Sequence, residues 1–510
     1  MATEIPELSQ HIVQYLDFDT LKAFALVCKT WYLAARPSLW KHFTYKVPLA
    51  CWSSPEEHAD WLSTIRRNAG SFRHLYRNRS KPIPGYVLDL LLDQCHSLVT
   101  IEAVVLVTDV RNPCRYWEET FKPLIEQNKA SLRRLQLRLI DISYMEPLQL
   151  PSLVAGLQYL RTLELDAPEM TVEDLLPILD ACPNSLECLD MYSSLRRRRD
   201  LVIQPHHSPT TATATSYRFK HLRIYGICDD EALVDLLSRL AVHALEGLLL
   251  GTAIPLLEAP SLQKALWRLS HLHLDFMYDS SESVLSTFLN VIHPHQLRHV
   301  HLGNMTILCT EMLMEQQHQS LESLTVDFEF DHSRALGNIL ATCSKLKRLV
   351  FSALPFADIQ VFIDPLRPWV CTELEVFEGS FGQCPPNANA DTERQRQIEI
   401  LFMQRLGQLT KLRSLIQKYD ELPIDVDRDV DPEVMGWSLS SGLEHLHGLN
   451  NLETFKFDRN FPKRIGILEM IFIKEHWRSL KEVRCKKVDN KDVLDWLAIE
   501  WPELKVTSRA

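Results

Sequence analysis

A six-residue pattern, Leu-x-x-Leu-x-Leu, recurs along most of this chain of 510 residues. Clear copies begin at Leu132, Leu160, Leu186, Phe219, Leu245, Leu269, Leu297, Leu321 and Leu346. Weaker copies begin at Leu98, Leu374, Leu412, Leu452 and Leu480. From Leu245 to Leu374 the starts are 24, 28, 24, 25 and 28 residues apart, which leaves room for one helix after each copy. A unit of one strand and one helix cannot bury its apolar face alone, so the pattern predicts a stacked array.

A period of this length is typical of leucine-rich repeats. We therefore predict an α/β fold for residues 71–510, a solenoid with a curved parallel sheet and helices on the convex side. Side chains alternate between the two faces of a strand. Consequently the leucines, including Leu272 and Leu324, should be buried, and the second and third x positions should lie on the concave face. That face is the usual binding surface of such solenoids.

The N-terminal segment from Ile5 to Trp40, "IPELSQHIVQYLDFDTLKAFALVCKTWYLAARPSLW", predicts three short helices. Pro6 suits the first helical position, and Asp19 can cap the second helix. Arg36 precedes Pro37, which disfavours helical geometry at Arg36 and predicts the end of the third helix there. About forty residues rarely form an independent core, so part of this apolar surface should dock on another surface.

The same segment resembles an F-box. The resemblance rests on Ile5-Pro6-Glu7, Leu8, Ile12, Leu16, Leu21, Val27-Cys28-Lys29-x-Trp31 and Leu39-Trp40. It departs from the family pattern where Ile5 replaces the usual Leu and Thr20-Leu21 replaces Asp-Leu. F-box segments bind the Skp adaptor of the Skp–cullin–F-box ubiquitin ligase. The resemblance implies that eight residues lie at or under that interface: Pro6, Leu8, Ile12, Leu21, Val27, Cys28, Trp31 and Trp40.

The resemblance and the repeats together predict an F-box at 1–42, a helical transition at 43–70 and a solenoid at 71–510. The implied function is that of a substrate receptor without catalytic activity, which binds the adaptor and cullin assembly at one end and a target protein on the concave face. An alternative is a ligase-independent interaction scaffold whose N-terminal helical cap only resembles an F-box. The sequence has no HExxH, GxSxG, P-loop or GxGxxG motif, so we expect no enzyme, no cofactor and no metal site.

The net charge of −11 argues against nucleic acid and anionic membranes as partners, since both require a basic surface. No 18-residue apolar window predicts a transmembrane helix, and the N-terminus lacks the features of a secretory signal. The 12 cysteines form no CxxC pair. We therefore expect free thiols in a reducing compartment, the cytoplasm or the nucleus.

Three insertions interrupt the repeat, near 195–218, 380–397 and 417–442. The first contains Arg196–Arg199, which is either a nuclear import or phosphate-binding run or a solvated loop. The third contains alternating aspartates at 425, 427, 429 and 431. A calcium loop would need Gly and Glu where this chain has Val430 and Gly436, so we do not expect calcium there.

Four histidines occupy the two concave positions of consecutive repeats: His271, His273, His299 and His301. Neighbouring strands lie about 4.8 Å apart, so the register predicts His271 beside His299 and His273 beside His301. Such a group could bind zinc or contact a target protein. We favour the second interpretation and take the four residues as the target-binding face.

Overall fold

The chain forms two compact units, Met1–Leu245 and Glu246–Ala510. The computed structural model describes residues 6–44, 55–76, 83, 85–106, 117–140, 148–167, 170–192, 218–225, 236, 245–251, 266–275, 281–328, 333–353, 357–363, 366–382, 392–418, 437–457, 465–485, 488 and 490–508. No helix among these residues is long and apolar enough to cross a membrane.

The first unit begins with three helices and continues as a parallel sheet with interleaved helices. Its helices are α1 Pro6–Val13, α2 Phe18–Ala25, α3 Lys29–Leu39, α4 Pro55–Asn68, α5 Gly85–Leu92, α6 Lys122–Gln127, α7 Leu150–Ala155 and α8 Val172–Asp180. Its strands are β1 His42–Thr44, β2 His74–Tyr76, β3 Thr100–Leu106, β4 Arg134–Ile140, β5 Thr162–Asp166, β6 Cys188–Tyr192 and β7 His221–Ile224. Each strand pairs in parallel with the next along the chain.

The second unit repeats this arrangement. Its helices are α9 Ser281–Val291, α10 Ile307–Gln317, α11 Ser333–Thr342, α12 Ile359–Phe362, α13 Thr392–Gly407, α14 Ile467–His476 and α15 Lys491–Glu500. Its strands are β8 Gly247–Gly251, β9 His271–Asp275, β10 His299–Met305, β11 Ser323–Phe328, β12 Arg348–Ala353, β13 Ala357–Asp358, β14 Val376–Gly379, β15 Phe381–Gly382, β16 Ser414–Gln417, β17 Thr454–Phe457, β18 Glu482–Cys485 and β19 Lys505–Ser508. The short β13 and β15 pair with each other, and the other strands form one parallel ladder in sequence order.

Every copy of the leucine pattern becomes a strand whose pattern leucines are buried. Leu272 is 1% exposed and Leu324 is fully buried, as predicted. The first residue of each copy, from Leu98 to Leu480, is also buried. The alternation of a strand therefore places one apolar face inside and leaves the other face for polar side chains. The chain is an α/β solenoid preceded by a helical N-terminal segment, which confirms the predicted fold class.

Two copies carry glycine or glutamine at the third leucine position, and packing accounts for both. Gly379 replaces that leucine because a Cβ there would lie 2.5 Å from the ring of Phe351. Gln417 is fully buried, and its amide has partners on both sides. Its Nε2 donates to the Phe381 carbonyl at 2.8 Å, and its Oε1 accepts from Trp437 Nε1 at 3.0 Å. A buried polar group that is hydrogen-bonded in this way costs little.

Buried amides also shape the turns that precede strands. Asn128 Oδ1 accepts from the Leu98 amide at 2.7 Å, and its Nδ2 donates to the Cys95 carbonyl at 2.8 Å. Gln317 Oε1 accepts from the amides of Gln296 and Leu297 at 2.9 and 3.1 Å. These side chains satisfy main-chain groups that the turn would otherwise leave unpaired in the interior.

The structure differs from the sequence expectations at the N-terminal helices. Asp17, not Asp19, caps α2, because its Oδ1 accepts from the Thr20 amide at 2.8 Å. Helix α3 continues past Arg36 to Leu39 with Pro37 in its last turn. Pro37 removes only one donor from that turn, and the Trp40 amide still donates to the Arg36 carbonyl at 3.0 Å.

The sheet begins at His42, ahead of residue 71, where the solenoid was predicted to start. Strands β1, β2 and β19 were not predicted, because none of them carries a complete copy of the pattern. Most of the 195–218 and 417–442 insertions lies outside the described residues, with Arg196–Arg199 and the aspartates at 425–431. Of the 380–397 insertion, residues 383–391 lie outside, and Thr392 begins α13.

Candidate functional site

The three N-terminal helices share a small apolar core. It contains Val13, Leu21, Phe24 and Ala35, with Leu16, Ala25, Trp31, Ala34 and Leu39 packed against it. The rings of Phe24 and Trp31 stack with their centroids 4.2 Å apart. The core is too small to bury all the apolar side chains of the three helices.

Six large apolar side chains of this segment are exposed to solvent: Leu8, Ile12, Tyr15, Leu26, Val27 and Leu33. The most exposed is Leu26, at 87%. Single exposed apolar residues are ordinary, but this many on three short helices is typical of a surface that binds another protein. The helices therefore present an exposed apolar surface.

The predicted adaptor residues fall into two groups in the structure. Leu8, Ile12, Val27 and Cys28 are exposed and available to a partner. Leu21 is buried in the core, and Trp31 and Trp40 are half-buried, so these three support the surface from below. The side chain of Pro6 lies outside the described residues. Sequence reasoning missed Tyr15, Leu26 and Leu33, because spacing alone does not show which face of each short helix its neighbours cover.

The three helices pack closely against the segment that leads into the first strands of the sheet. The Trp40 ring lies 6.3 Å from that of Phe72, and Phe43 stacks on Phe72 at 4.9 Å. Arg36 Nε donates to Asn68 Oδ1 at 2.8 Å, and the same guanidinium donates to the Arg67 carbonyl. A partner bound to α1–α3 is therefore held close to the start of the sheet.

The four histidines of β9 and β10 lie together on the exposed face of their sheet. His271 pairs with His299 and His273 with His301, which confirms the predicted register. The first pair of rings stacks with centroids 4.2 Å apart, and the second with centroids 3.8 Å apart. We call these four residues the histidine surface.

Charged and polar groups flank the histidine surface on β11 and β12. Burial, together with the adjacent His271, lowers the pKa of His299 below its ordinary value. His301 Nε2 lies 3.7 Å from Asp327 Oδ2, and the Ser352 hydroxyl donates to Asp327 Oδ1 at 2.7 Å. The side chain of His301, followed by Ser352, lowers the pKa of the Asp327 carboxyl. His299 therefore favours its neutral form at pH 7, beside an ionised Asp327.

The structure gives little support for metal binding or for a reactive cysteine. Within the described ranges, no group of three or more His, Cys, Asp or Glu side chains is arranged to hold a metal ion. Burial raises the pKa of the Cys95, Cys182 and Cys371 thiols to about 12. These thiols stay protonated at neutral pH, and a thiol is a poor nucleophile.

A second stack of rings, which sequence reasoning missed, lies on β1 and β2. His42 stacks on His74 with centroids 4.5 Å apart, and Tyr76 lies 5.8 Å from His42. His74 Nδ1 and Thr100 Oγ1 share a hydrogen bond of 3.0 Å. Burial and then nearby cations lower the pKa of His42, and His74 shifts in the same direction. The sequence feature that could have revealed this stack is the shortened copy of the leucine pattern in "FRHLY".

Comparison with known proteins gives one match to a family model, confined to the N-terminal segment. The family model described as F-box-like matches residues 6–46. No curated protein matches the chain. Among solved structures, the chain is similar to one described as the crystal structure of the TLR13–ssRNA13 complex, with 12% sequence identity and a TM-score of 0.36. The similarity covers 79% of this chain and 53% of that one, so the chain spans about half the length of its structural neighbour.

Proposed function

Because residues 6–46 match an F-box-like family model and the leucine pattern beyond them forms a parallel strand-and-helix solenoid, we propose that this chain is the substrate-recognition subunit of a Skp–cullin–F-box ubiquitin ligase. The proposal has two parts. Helices α1–α3 bind the Skp adaptor, and through it the cullin scaffold, whereas the exposed face of the sheet binds a target protein. An F-box-like domain with a repeat fold is typical of adaptor or receptor proteins that are not enzymes.

The observation that carries the first part is the exposed apolar surface of α1–α3. Leu8, Val27 and Leu33 are 45%, 61% and 52% exposed. Covering apolar area with a partner is favourable by about 25 cal/mol for each Å² removed from water. The family match at residues 6–46 covers the same helices. An apolar groove of the adaptor is therefore the complementary partner for this surface.

The first part is tested by titrating purified Skp adaptor into the full chain and measuring the heat of binding. We expect a complex of one adaptor per chain with a dissociation constant in the micromolar range or below, as is ordinary for a specific protein interface. Cullin should join only when the adaptor is present. Absence of adaptor binding by a folded chain would favour a ligase-independent scaffold.

The second part assigns target recognition to the histidine surface, with His271, His273, His299 and His301 in contact with the target. A neutral imidazole has one donor and one acceptor nitrogen, so the surface offers both kinds of hydrogen bond. Catalysis by such a complex is catalysis by proximity, because the receptor holds lysines of the target near ubiquitin carried elsewhere in the assembly. The proposed sites of action are the cytoplasm and the nucleus.

The target interaction should weaken under mild acid. The pKa of His299 is lowered, so its ring is neutral at pH 7 and becomes charged only as the pH falls below about 6.5. Protonated rings lose their acceptor nitrogens and repel one another, with Arg298 and Lys347 adding to the repulsion and Glu322 opposing it. We expect a captured target to bind at least several-fold more weakly at pH 5.5 than at pH 7.5, measured by surface plasmon resonance.

Simultaneous replacement of the four histidines by Ala should weaken the same interaction at pH 7.5 and remove its pH dependence. The matched control replaces His445, His447, His293 and His96, which lie outside these strands. Equal binding by the wild type and the quadruple variant at both pH values would show that the histidine surface does not contact the target.

A further inference from the structure

The residue immediately before each strand forms a continuous row along the edge of the sheet. In the first unit the row runs Lys41, Arg73, Val99, Arg133, Arg161, Glu187 and Lys220. The main chain fixes it, because each amide donates to the carbonyl of the preceding member. These bonds are Arg73 to Lys41 at 2.9 Å, Val99 to Arg73 at 2.6 Å, Arg133 to Val99 at 2.9 Å and Arg161 to Arg133 at 2.7 Å. We call the four cations that precede Glu187 in this row, Lys41, Arg73, Arg133 and Arg161, the basic row.

The same position in the second unit has a different charge pattern. There the row alternates in sign: Arg298, Glu322, Lys347, Glu375, Arg413, Glu453 and Lys481, joined by the same kind of main-chain bond. Its members form ion pairs with one another. Lys347 Nζ lies 2.7 Å from Glu322, and Arg413 and Lys481 lie 2.5 and 2.7 Å from Glu453. Six of the seven named members are thus ion-paired within the row.

The basic row has no such internal partner. Arg73 donates to main-chain oxygens, Gly70 O at 3.2 Å and Phe72 O at 3.0 Å. Within the part of the chain that the structure describes, none of its four members forms an ion pair with a carboxylate. Lys41, Arg133 and Arg161 are exposed. Four like charges on one line repel one another, in a chain whose net charge is −11.

From this contrast we infer that the basic row is a binding site for an acidic peptide segment of a partner protein. Four strand spacings from Lys41 to Arg161 span about 19 Å, the length of an extended peptide of about six residues. Carboxylates form strong bidentate hydrogen bonds with guanidinium groups such as those of Arg133 and Arg161. Glu187, the next member of the row, would repel the same peptide and so marks the end of the site.

A peptide suits this site better than a nucleic acid does. Nucleic acid binding draws on a basic field that extends over a domain, whereas here a single row of cations lies on a strongly anionic chain. The acidic residues Glu102, Glu164 and Asp190 lie three residues beyond members of the row on their strands. Glu164 and Asp190 are buried and paired with Arg134 and Arg223, so these carboxylates do not neutralise the row. This site depends neither on adaptor binding nor on the histidine surface.

The test uses a fluorescein-labelled peptide of alternating Glu and Ser, twelve residues by design, and the full chain in fluorescence anisotropy at low salt. Arg133→Gln with Arg161→Gln should weaken peptide binding about tenfold or more. The matched control, Arg298→Gln with Arg413→Gln, removes the same charge from the same strand position in the second unit. The control should stay within about twofold of wild type. Circular dichroism melts establish that both variants are folded.

Three outcomes would overturn the inference. One is failure of the wild-type chain to bind the peptide. Another is an equal loss in both double variants, which would reduce the effect to net charge. The third is a single-stranded RNA of equal charge that binds more tightly than the peptide and loses that affinity in Arg133→Gln with Arg161→Gln. That result would identify the row as a nucleic acid site.

Discussion

Replacement of Leu8, Val27 and Leu33 by Ala together is expected to weaken binding of the Skp adaptor by roughly a hundredfold. Each side chain is about half exposed in the free chain, so an adaptor that covers it gains about 1 kcal/mol of burial from each. The three contributions sum to about 3 kcal/mol, and every 1.4 kcal/mol is about a factor of ten in affinity. None of the three belongs to the buried core of α1–α3, so the helices should remain folded.

Isothermal titration with purified adaptor measures this loss. The matched control replaces Leu468, Leu494 and Ile499 by Ala, three exposed apolar residues on α14 and α15 of the second unit. That control should bind the adaptor as the wild type does. Trp31→Ala is unsuitable as a test, because Trp31 stacks on Phe24 and its removal would damage the helices themselves. Adaptor affinity unchanged in the triple variant would place the adaptor on another surface.

Leu324→Ala is expected to lower the free energy of unfolding by about 2–5 kcal/mol. Leu324 is fully buried and lies in β11 between Val300 of β10 and Leu349 of β12. Its truncation leaves a cavity among three neighbouring strands, which a stacked array cannot readily close. Ser323→Ala, one residue earlier on the opposite face, should change stability by less than about 0.5 kcal/mol.

Urea unfolding followed by circular dichroism compares the two variants under identical conditions. The transition of Leu324→Ala should move to a clearly lower urea concentration, and that of Ser323→Ala should overlie the wild type. The opposite ranking would mean that β11 faces the other way in solution. A one-residue shift in register exchanges the two faces of a strand, so this pair of variants reports the register directly.

The sheet could be predicted from the sequence because a pattern of six neighbouring residues determines which side chains of each strand are buried. In "SHLHL" and "RHVHL" the same phase of alternation places Leu272 and Val300 inside and the histidines outside, and a constant repeat aligns the strands. β1 and β2 were not predicted because "WKHFT" and "FRHLY" keep the phase but lack the third leucine of the pattern. A search that accepted shortened copies would have found both.

The remaining features depend on contacts distant in the sequence. From the sequence alone, a glutamine at a core position such as Gln417 is expected to be destabilising. The structure shows that Trp437 and Phe381 supply its hydrogen bonds. Likewise, helical spacing shows that Leu21 and Leu26 are apolar but not that one is buried and the other 87% exposed. That difference is set by how α1 and α2 pack on α3, which no local pattern encodes. The charge contrast between the two strand-edge rows was readable in the sequence once the strands were known.

Only Trp40 and Lys41 separate the end of α3 from the start of β1, and Trp40 is itself packed near Phe72. A connection of two residues restricts rotation of α3 relative to β1. A partner bound to α1–α3 would therefore also set the orientation of the first strands. A flexible linker would let α3 and β1 reorient freely, whereas this short packed joint limits how far they can turn against each other. Inserting a few Gly and Ser residues after Trp40 would increase that rotational freedom while leaving the apolar core of α1–α3 intact.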